Sequence, residues 1–353
     1  MSEEASTAGW DAIDKALRTL YPDQEPKHYG TLISYMLGGP DPLDGISVYD
    51  VQEPRPHWHF VTYGFSELYD KESDNKDYSG FGFELTFRLA KEGGEAEPPA
   101  WAHNLLQNMG RYVFNSGNVF RPGDYLDANG PICLGSDTLL TALAFTNDPE
   151  LGLLNTPNGQ LEFIQMTGIT GDELEAMQIW NTNGLLKSGA DYLPYFITDL
   201  TRPSVLSREK VAAAVEEGSE KEGSSTGFLY NDQLSWQSGK KGMFRSAAHT
   251  LQLGAKQAKI IGKLLRGRIL KGRELTLVGP EIRVVFEPGI TSELDIQEEK
   301  IRLQLDEETV TLLSEQLQPL ESSFSLPAFK GLTIQILKTH IKDTEGQIVH
   351  TIG

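Results

Sequence analysis

The chain has 353 residues, 39% hydrophobic and 23% charged, with 31 basic against 50 acidic side chains and a formal net charge of −19. That is the make-up of a folded soluble protein of about two domains, and its negative excess disfavours non-specific contact with nucleic acid. The single cysteine, Cys133, excludes an intramolecular disulfide, and apolar runs such as 138–145 fall short of the roughly 20 residues of a membrane span. No basic stretch followed by an apolar one opens the sequence. The expected setting is therefore the cytoplasm, without membrane contact.

The first predicted element is a helix in which Trp10, Ile13, Leu17 and Leu20 recur at helical steps until Pro22 stops the run. Strands are predicted at 31–37, 45–51, 57–65 and 81–90. The last alternates, with Phe81, Phe83, Leu85, Phe87 and Leu89 on one face and Glu84, Thr86 and Arg88 on the other. Pro98 and Pro99 then open a helix over 100–114, whose apolar stripe is read as Trp101, Leu105, Met109 and Tyr112. A strand follows at 138–146, then a hairpin turning at 156–159. Thr170 and Glu173 form a capping box for a helix carrying Leu174, Met177 and Trp180, with a strand predicted at 195–200.

Residues 204–218 read as a short solvated helix and 219–227 as polar and low in complexity, as linkers are, so the linker is placed at 204–228. The second part reads as a basic helix (255–271), strands at 281–287 and 300–306, a helix at 307–318, and strands at 332–338 and near the C-terminus. Runs of strands with few helices between them give an α+β class. The expected organisation is two mixed α/β-sheet domains, 1–203 and 229–353, joined by the short linker 204–228.

Candidate chemistry is sparse. His57 and His59 share one face of a strand, as in some metal enzymes, but none of the five residues after His59 is a good ligand. A metal-dependent enzyme built on that pair is the alternative reading; local hydrogen bonding within a sheet is the favoured one. Cys133 lies in a loop without a nearby histidine, and no nucleophile elbow, Walker loop or dinucleotide fingerprint occurs. No cofactor is expected.

From Lys240 to Arg273 there are ten basic residues and no acidic one, which leaves the remaining chain at 21 basic and 50 acidic. A helix there would place Ala258, Ile261, Leu265 and Ile269 inward and its basic side chains toward water or an acidic partner. Nucleic acid is the less favoured ligand, given the net charge and the lack of interleaved aromatics.

Several strings carry a family resemblance. "LGGPDPLDGISVYD" (37–50), "HWHFVTYGFSELYD" (57–70), "SGFGFELTFRL" (79–89) and "GRYVFNSGNVFRPGD" (110–124) resemble successive signatures of the Suppressor of fused family. "LYPDQEP" (20–26), "QIWNTNGLL" (178–186) and "ITDLTR" (197–202) continue the likeness, and "LRGRILKGR" (265–273) resembles the family's C-terminal signature.

The resemblance implies a two-domain protein without catalytic activity that closes on an extended segment of a protein partner by strand addition. In animal members the partner is a zinc-finger transcription factor of the Gli type, held back in the cytoplasm in hedgehog signalling. The compact C-terminal part resembles bacterial members, for which an immunity role against toxins is implied. Tyr112 and Asp124 stand where the family's peptide-contacting tyrosine and aspartate stand, and Arg266 and Arg268 fall in the C-terminal signature as further partner-binding candidates. Asn147 replaces an acidic residue of the animal pattern, so that contact is not carried over.

Overall fold

Phe83, Leu85, Phe87 and Leu89 are buried, and so are Glu84, Thr86 and Arg88 between them. A strand covered on both faces belongs to the middle of a sheet packed on both sides. The computed structural model places it there; it describes residues 6–33, 35–239, 248–297, 300–342 and 346–353. Two compact units result, Met1–Leu174 with Leu185–Val211, and Glu175–Gly184 with Ala212–Gly353.

The first unit begins with α1 (Ala8–Leu20), β1 (Lys27–Gly30), β2 (Gly45–Val51), β3 (His57–Tyr63), β4 (Tyr78–Ala90) and α2 (Ala100–Ser116). It continues through β5 (Tyr125–Asp127), β6 (Leu140–Asn147), β7 (Leu153–Thr156) and β8 (Gly159–Thr170). The sheet runs β1-β2-β3-β4-β8-β6-β5, with β7 also paired to β8. Only the β4–β8 pair is parallel among these described strands.

Alternation then sorts the core. Trp58, Phe60, Phe83, Leu85 and Phe87 pack with Leu106, Met109 and Val113 of α2 on one face. Val61, Tyr63, Leu161 and Phe163 pack with Ile13 and Leu17 of α1 on the other. Helix α2 ends at Gly117, whose left-handed φ of 72° suits a residue without a Cβ and lets its N–H donate to the Val113 carbonyl.

Three helices, α3 (Gly171–Ile179), α4 (Thr182–Ser188) and α5 (Glu209–Lys221), each contain one of the points where the chain passes from one unit to the other. At the start of α3, the Thr170 N–H donates to Glu173 Oε2 at 2.9 Å, half of the expected capping box; the Thr170 hydroxyl turns instead to Asp172.

The second unit comprises β9 (Phe228–Tyr230), β10 (Ser235–Ser238), β11 (His249–Gly254), α6 (Ala255–Ile269), β12 (Leu275–Val278), β13 (Arg283–Pro288), β14 (Glu293–Ile296) and β15 (Lys300–Leu305). It closes with α7 (Glu307–Gln316), β16 (Ser322–Ser325), β17 (Leu332–Leu337), β18 (Thr339–Lys342) and β19 (Ile348–Ile352). One sheet is ordered β14-β15-β13-β12-β9, a second β10-β11-β17-β16, and β18-β19 form a separate hairpin. Ala258, Ile261, Leu265 and Ile269 of α6 are buried in one core with residues of both larger sheets. The side chain of Asp306 caps α7 by accepting the Thr309 N–H at 2.8 Å.

The α+β class with two mixed-sheet domains is what the structure has, but four local expectations change. Residues 31–37 are not a strand: β1 ends at Gly30, and a short 3₁₀ turn occupies Tyr35–Leu37. Residues 195–200 hold another 3₁₀ turn, Pro194–Phe196, and a single parallel bridge from Thr198 to Leu89. The α2 stripe is rotated: Ala102, Leu106, Met109 and Val113 are buried, whereas Tyr112 is 40% exposed. Finally, the segment 204–228 holds the expected short helix, α5, but is less solvated than expected: Val205, Val211, Val215, Ser224 and Thr226 are buried. The first part of the basic run, 240–247, lies outside the described residues.

Candidate functional site

Tyr112 emerges from the last turns of α2 and stacks on Phe120 (centroids 5.5 Å apart), which stacks in turn on Phe145 of β6 at 4.1 Å. Phe120 is buried and the tyrosine is the outermost ring, its hydroxyl accepting from Asn118 Nδ2 at 3.2 Å. The loop after Phe120 turns through Arg121–Asp124 and is tied to the same strand: the Gly123 N–H donates to the Phe145 carbonyl, and the Phe145 N–H to the Asp124 carbonyl.

Asp124 is exposed as a residue, but its carboxylate folds back to accept the Arg121 N–H at 2.8 Å. Partial loss of water pushes its pKa up, against the pull of Arg121. Strand β5 starts at the next residue and is the end strand of the sheet. The structure thus brings Tyr112 and Asp124 to one corner, a ladder of three rings beside a carboxylate at the root of an end strand.

The basic pair fares differently. Arg266 is exposed on α6, with Glu315 Oε1 at 3.3 Å. Arg268 is only 8% exposed; its Nε donates to the Glu274 carbonyl at 2.6 Å and one terminal nitrogen to the Ser224 carbonyl at 2.8 Å. A residue two positions further along a helix points the opposite way, so the two arginines do not form one patch. Arg268 acts as a strut that ties α6 to its own unit, buried where Arg266 is exposed.

The two histidines lie in the interior. His57 Nδ1 bonds the Arg55 carbonyl at 2.8 Å, and His59 is buried beneath α1 with its Nδ1 2.7 Å from the Tyr21 hydroxyl. His59 Nε2 is 3.6 Å from Asp148 Oδ2, which favours the tautomer protonated on Nε2. Desolvation, with Arg88 nearby, holds His59 at a pKa of about 4, and desolvation does the same for His57. Among the described residues no group of three or more His, Cys, Asp or Glu could hold a metal ion. The pair builds the sheet.

What the sequence did not announce is the cluster around those histidines. Arg88, fully buried on β4, forks onto Asp148 at 2.6 and 3.2 Å and reaches Glu150 at 2.9 Å and the Gln165 side-chain oxygen. The Thr86 hydroxyl also donates to Asp148, at 2.6 Å. Burial alone would raise the pKa of Asp148, but hydrogen bonds and charge from His59 and Arg88 hold it far below the usual carboxylate range.

The other end of Gln165 donates to the carbonyls of Tyr195 and Phe196 at 3.2 and 3.3 Å. Those two residues have left-handed φ values of 51° and 52°, a conformation that costs non-glycine residues energy and persists only where neighbours impose it. Tyr195 is 42% exposed there. Two other aromatics escaped the sequence reading: Phe228 (71% exposed) and Tyr230 (56%) stand on β9, the end strand of its own sheet. Single aromatics in a short strand carry no sequence signal that separates surface from core.

The family model described as Suppressor of fused protein (SUFU) matches residues 39–203. The human Suppressor of fused homolog is 37% identical over 240 residues, 62% of this chain and 48% of that protein, so the chain spans about half the length of this curated relative. The crystal structure of Drosophila Suppressor of Fused superposes with a TM-score of 0.76 at 24% identity, covering 95% of this chain and 99% of the other, and so shares the fold. A chain in the crystal structure of the Sufu-Fu complex matches with a TM-score of 0.56 at 33% identity, over 60% of this chain and 98% of its own. With the signature strings seated on β2, β3, β4 and α2, this chain belongs to the Suppressor of fused family.

Proposed function

We propose that the chain is a non-enzymatic protein of the cytoplasm that binds an extended segment of a protein partner by strand addition and thereby restrains that partner. The observation that carries the reading is the corner itself, where Tyr112 caps the Phe120–Phe145 stack beside Asp124 at the start of end strand β5. An end strand offers backbone hydrogen bonds to an incoming segment, the ring stack offers an apolar wall with a polar tip, and the carboxylate selects a donor or a cation. The Sufu-Fu complex supports the binding role, since a relative 33% identical to this chain was solved with a partner.

Within this reading the restrained partner is a toxin, with the chain as its immunity protein, or a regulator held by sequestration. The test is capture from the lysate of the source organism with wild type and Asp124→Arg, read by mass spectrometry, with thermal melting as the folding control. A partner captured by wild type and lost from an Asp124→Arg protein of unchanged melting supports the site and names the partner. A partner that ignores the substitution overturns the site, and failure of wild type to capture any protein counts against the binding role.

A further inference from the structure

Helix α6 has four exposed residues, Lys256, Lys259, Lys263 and Arg266, and all four are cationic. Their spacing of three, four and three residues sets them in one row along the helix, about 15 Å from first to last at 1.5 Å per residue. Two features separate this row from an ordinary solvated face. Its first turn holds no acidic residue, and Lys256 stands there, at the end where the helix dipole disfavours a cation. The row also concentrates cations in a chain that, outside 240–273, carries 50 acidic side chains against 21 basic ones. Glu175 meets Lys263 and Glu315 meets Arg266, in exposed pairs, while Lys259 has no ion-pair partner among the described residues.

We propose that this row is a docking surface for an acidic, extended segment of a protein partner. The inference rests on the binding role proposed above and adds the charge of what is bound. Same-face side chains of an extended segment repeat about every 6.6 Å, close to the roughly 6 Å of helix rise from Lys259 to Lys263. Carboxylates two positions apart can therefore meet Lys259 and Lys263, while Lys256 and Arg266, each about 4.5 Å of rise further out, are reached through their long side chains. Exchange of Glu175 and Glu315 for partner carboxylates costs little, because exposed pairs contribute at most about 1 kcal/mol. A nucleic-acid strand fits less well: the net charge of −19 repels it, and no aromatic side chain is exposed on α6 for bases to stack on. The same net charge makes the proposal demanding, since an acidic peptide must bind an acidic protein.

The test is fluorescence anisotropy with a labelled decapeptide of alternating Glu and Ser, at low salt and at ~0.15 M. The proteins are wild type, Lys259→Gln/Lys263→Gln/Arg266→Gln, the single Lys259→Glu, and Asp124→Arg. The expected result is binding by wild type at low salt, weakened at least tenfold by the triple variant and by added salt, and reduced by Lys259→Glu. No binding by wild type at low salt, equal binding by the triple variant, or tighter binding of a single-stranded DNA than of the peptide would overturn it. Loss of cellular partner capture in Asp124→Arg with peptide binding intact supports both surfaces. Peptide binding that depends on α6, beside a partner indifferent to Asp124→Arg, leaves this inference standing and removes the corner.

Discussion

The two faces of the first sheet are equally buried and differently built. Under α2 lie Trp58, Phe60, Phe83, Leu85 and Phe87, a surface of carbon that any well-shaped apolar set could supply. On the opposite face the sheet presents, beside the Val61, Tyr63, Leu161 and Phe163 that α1 covers, a buried polar patch of His57, His59, Glu84, Thr86, Arg88 and Gln165. Apolar burial favours folding on both faces, and the polar patch adds bonds whose partners come from different parts of the sheet. Arg88 finds Asp148 only if β4 and the loop after β6 are both in place.

The largest effects should separate the faces. Phe87→Ala is expected to cost about 3–5 kcal/mol through lost burial and a cavity. Arg88→Ala should cost a similar 3–5 kcal/mol for another reason, the stranding of the buried Asp148 charge. The discriminating variant is Arg88→Met with Asp148→Leu, which removes both charges and should recover most of the loss in urea unfolding. If the double variant is no more stable than Arg88→Ala, packing rather than charge governs the α1 face as well.

Acid comes next. For His59 the folded pKa of about 4 lies below the ordinary 6.5, so between those values the unfolded chain binds more protons. Stability therefore falls as pH drops from 6.5 to 4, by about 3 kcal/mol at 1.36 kcal/mol per unit. His57 adds a loss of the same sign.

Glu84 acts oppositely. Desolvation raises its pKa from 4.5 to about 7, despite donors from Thr62, Gly64 and Ser66, so the stability it contributes is full below pH 4.5 and lost as pH rises through 7. Glu84→Gln should accordingly steepen the decline between pH 6.5 and 4, measured as denaturation midpoints across pH. A slope unchanged by the substitution would mean that Glu84 is ionised throughout. The smallest effect on stability is expected at the exposed corner: Tyr112→Ala should change unfolding by less than about 1 kcal/mol while weakening partner capture, because its ring lies outermost in the stack.

Legibility followed the range of the interactions. Strand β2 coincides with the predicted 45–51, and α6 buries the predicted stripe, because local alternation and helical spacing suffice to specify both. The strands expected at 31–37 and 195–200 failed because an apolar composition was read without knowing its neighbours: Leu32 and Leu37 face solvent, and Tyr195 and Phe196 are bent out of the extended region by bonds from Gln165.

At the candidate site, the family strings located Tyr112 and Asp124, but no pattern could reveal Phe145 beneath them, which lies on another strand. Arg88 read only as a residue on the face of an alternating strand opposite its apolar side chains. Its partner, sixty positions away, is what makes it an inward one.

The Tyr195–Phe196 bend links a buried charge to the surface. The backbone of Tyr195 is held by Gln165, Gln165 by Arg88, and Arg88 by Asp148, so a side chain with no exposure helps to decide how a surface tyrosine is presented. Substitutions at such linked positions do not combine additively. A substitution at Asp148 is therefore expected to change how the 195–196 turn is held, through Arg88 and Gln165 rather than by direct contact.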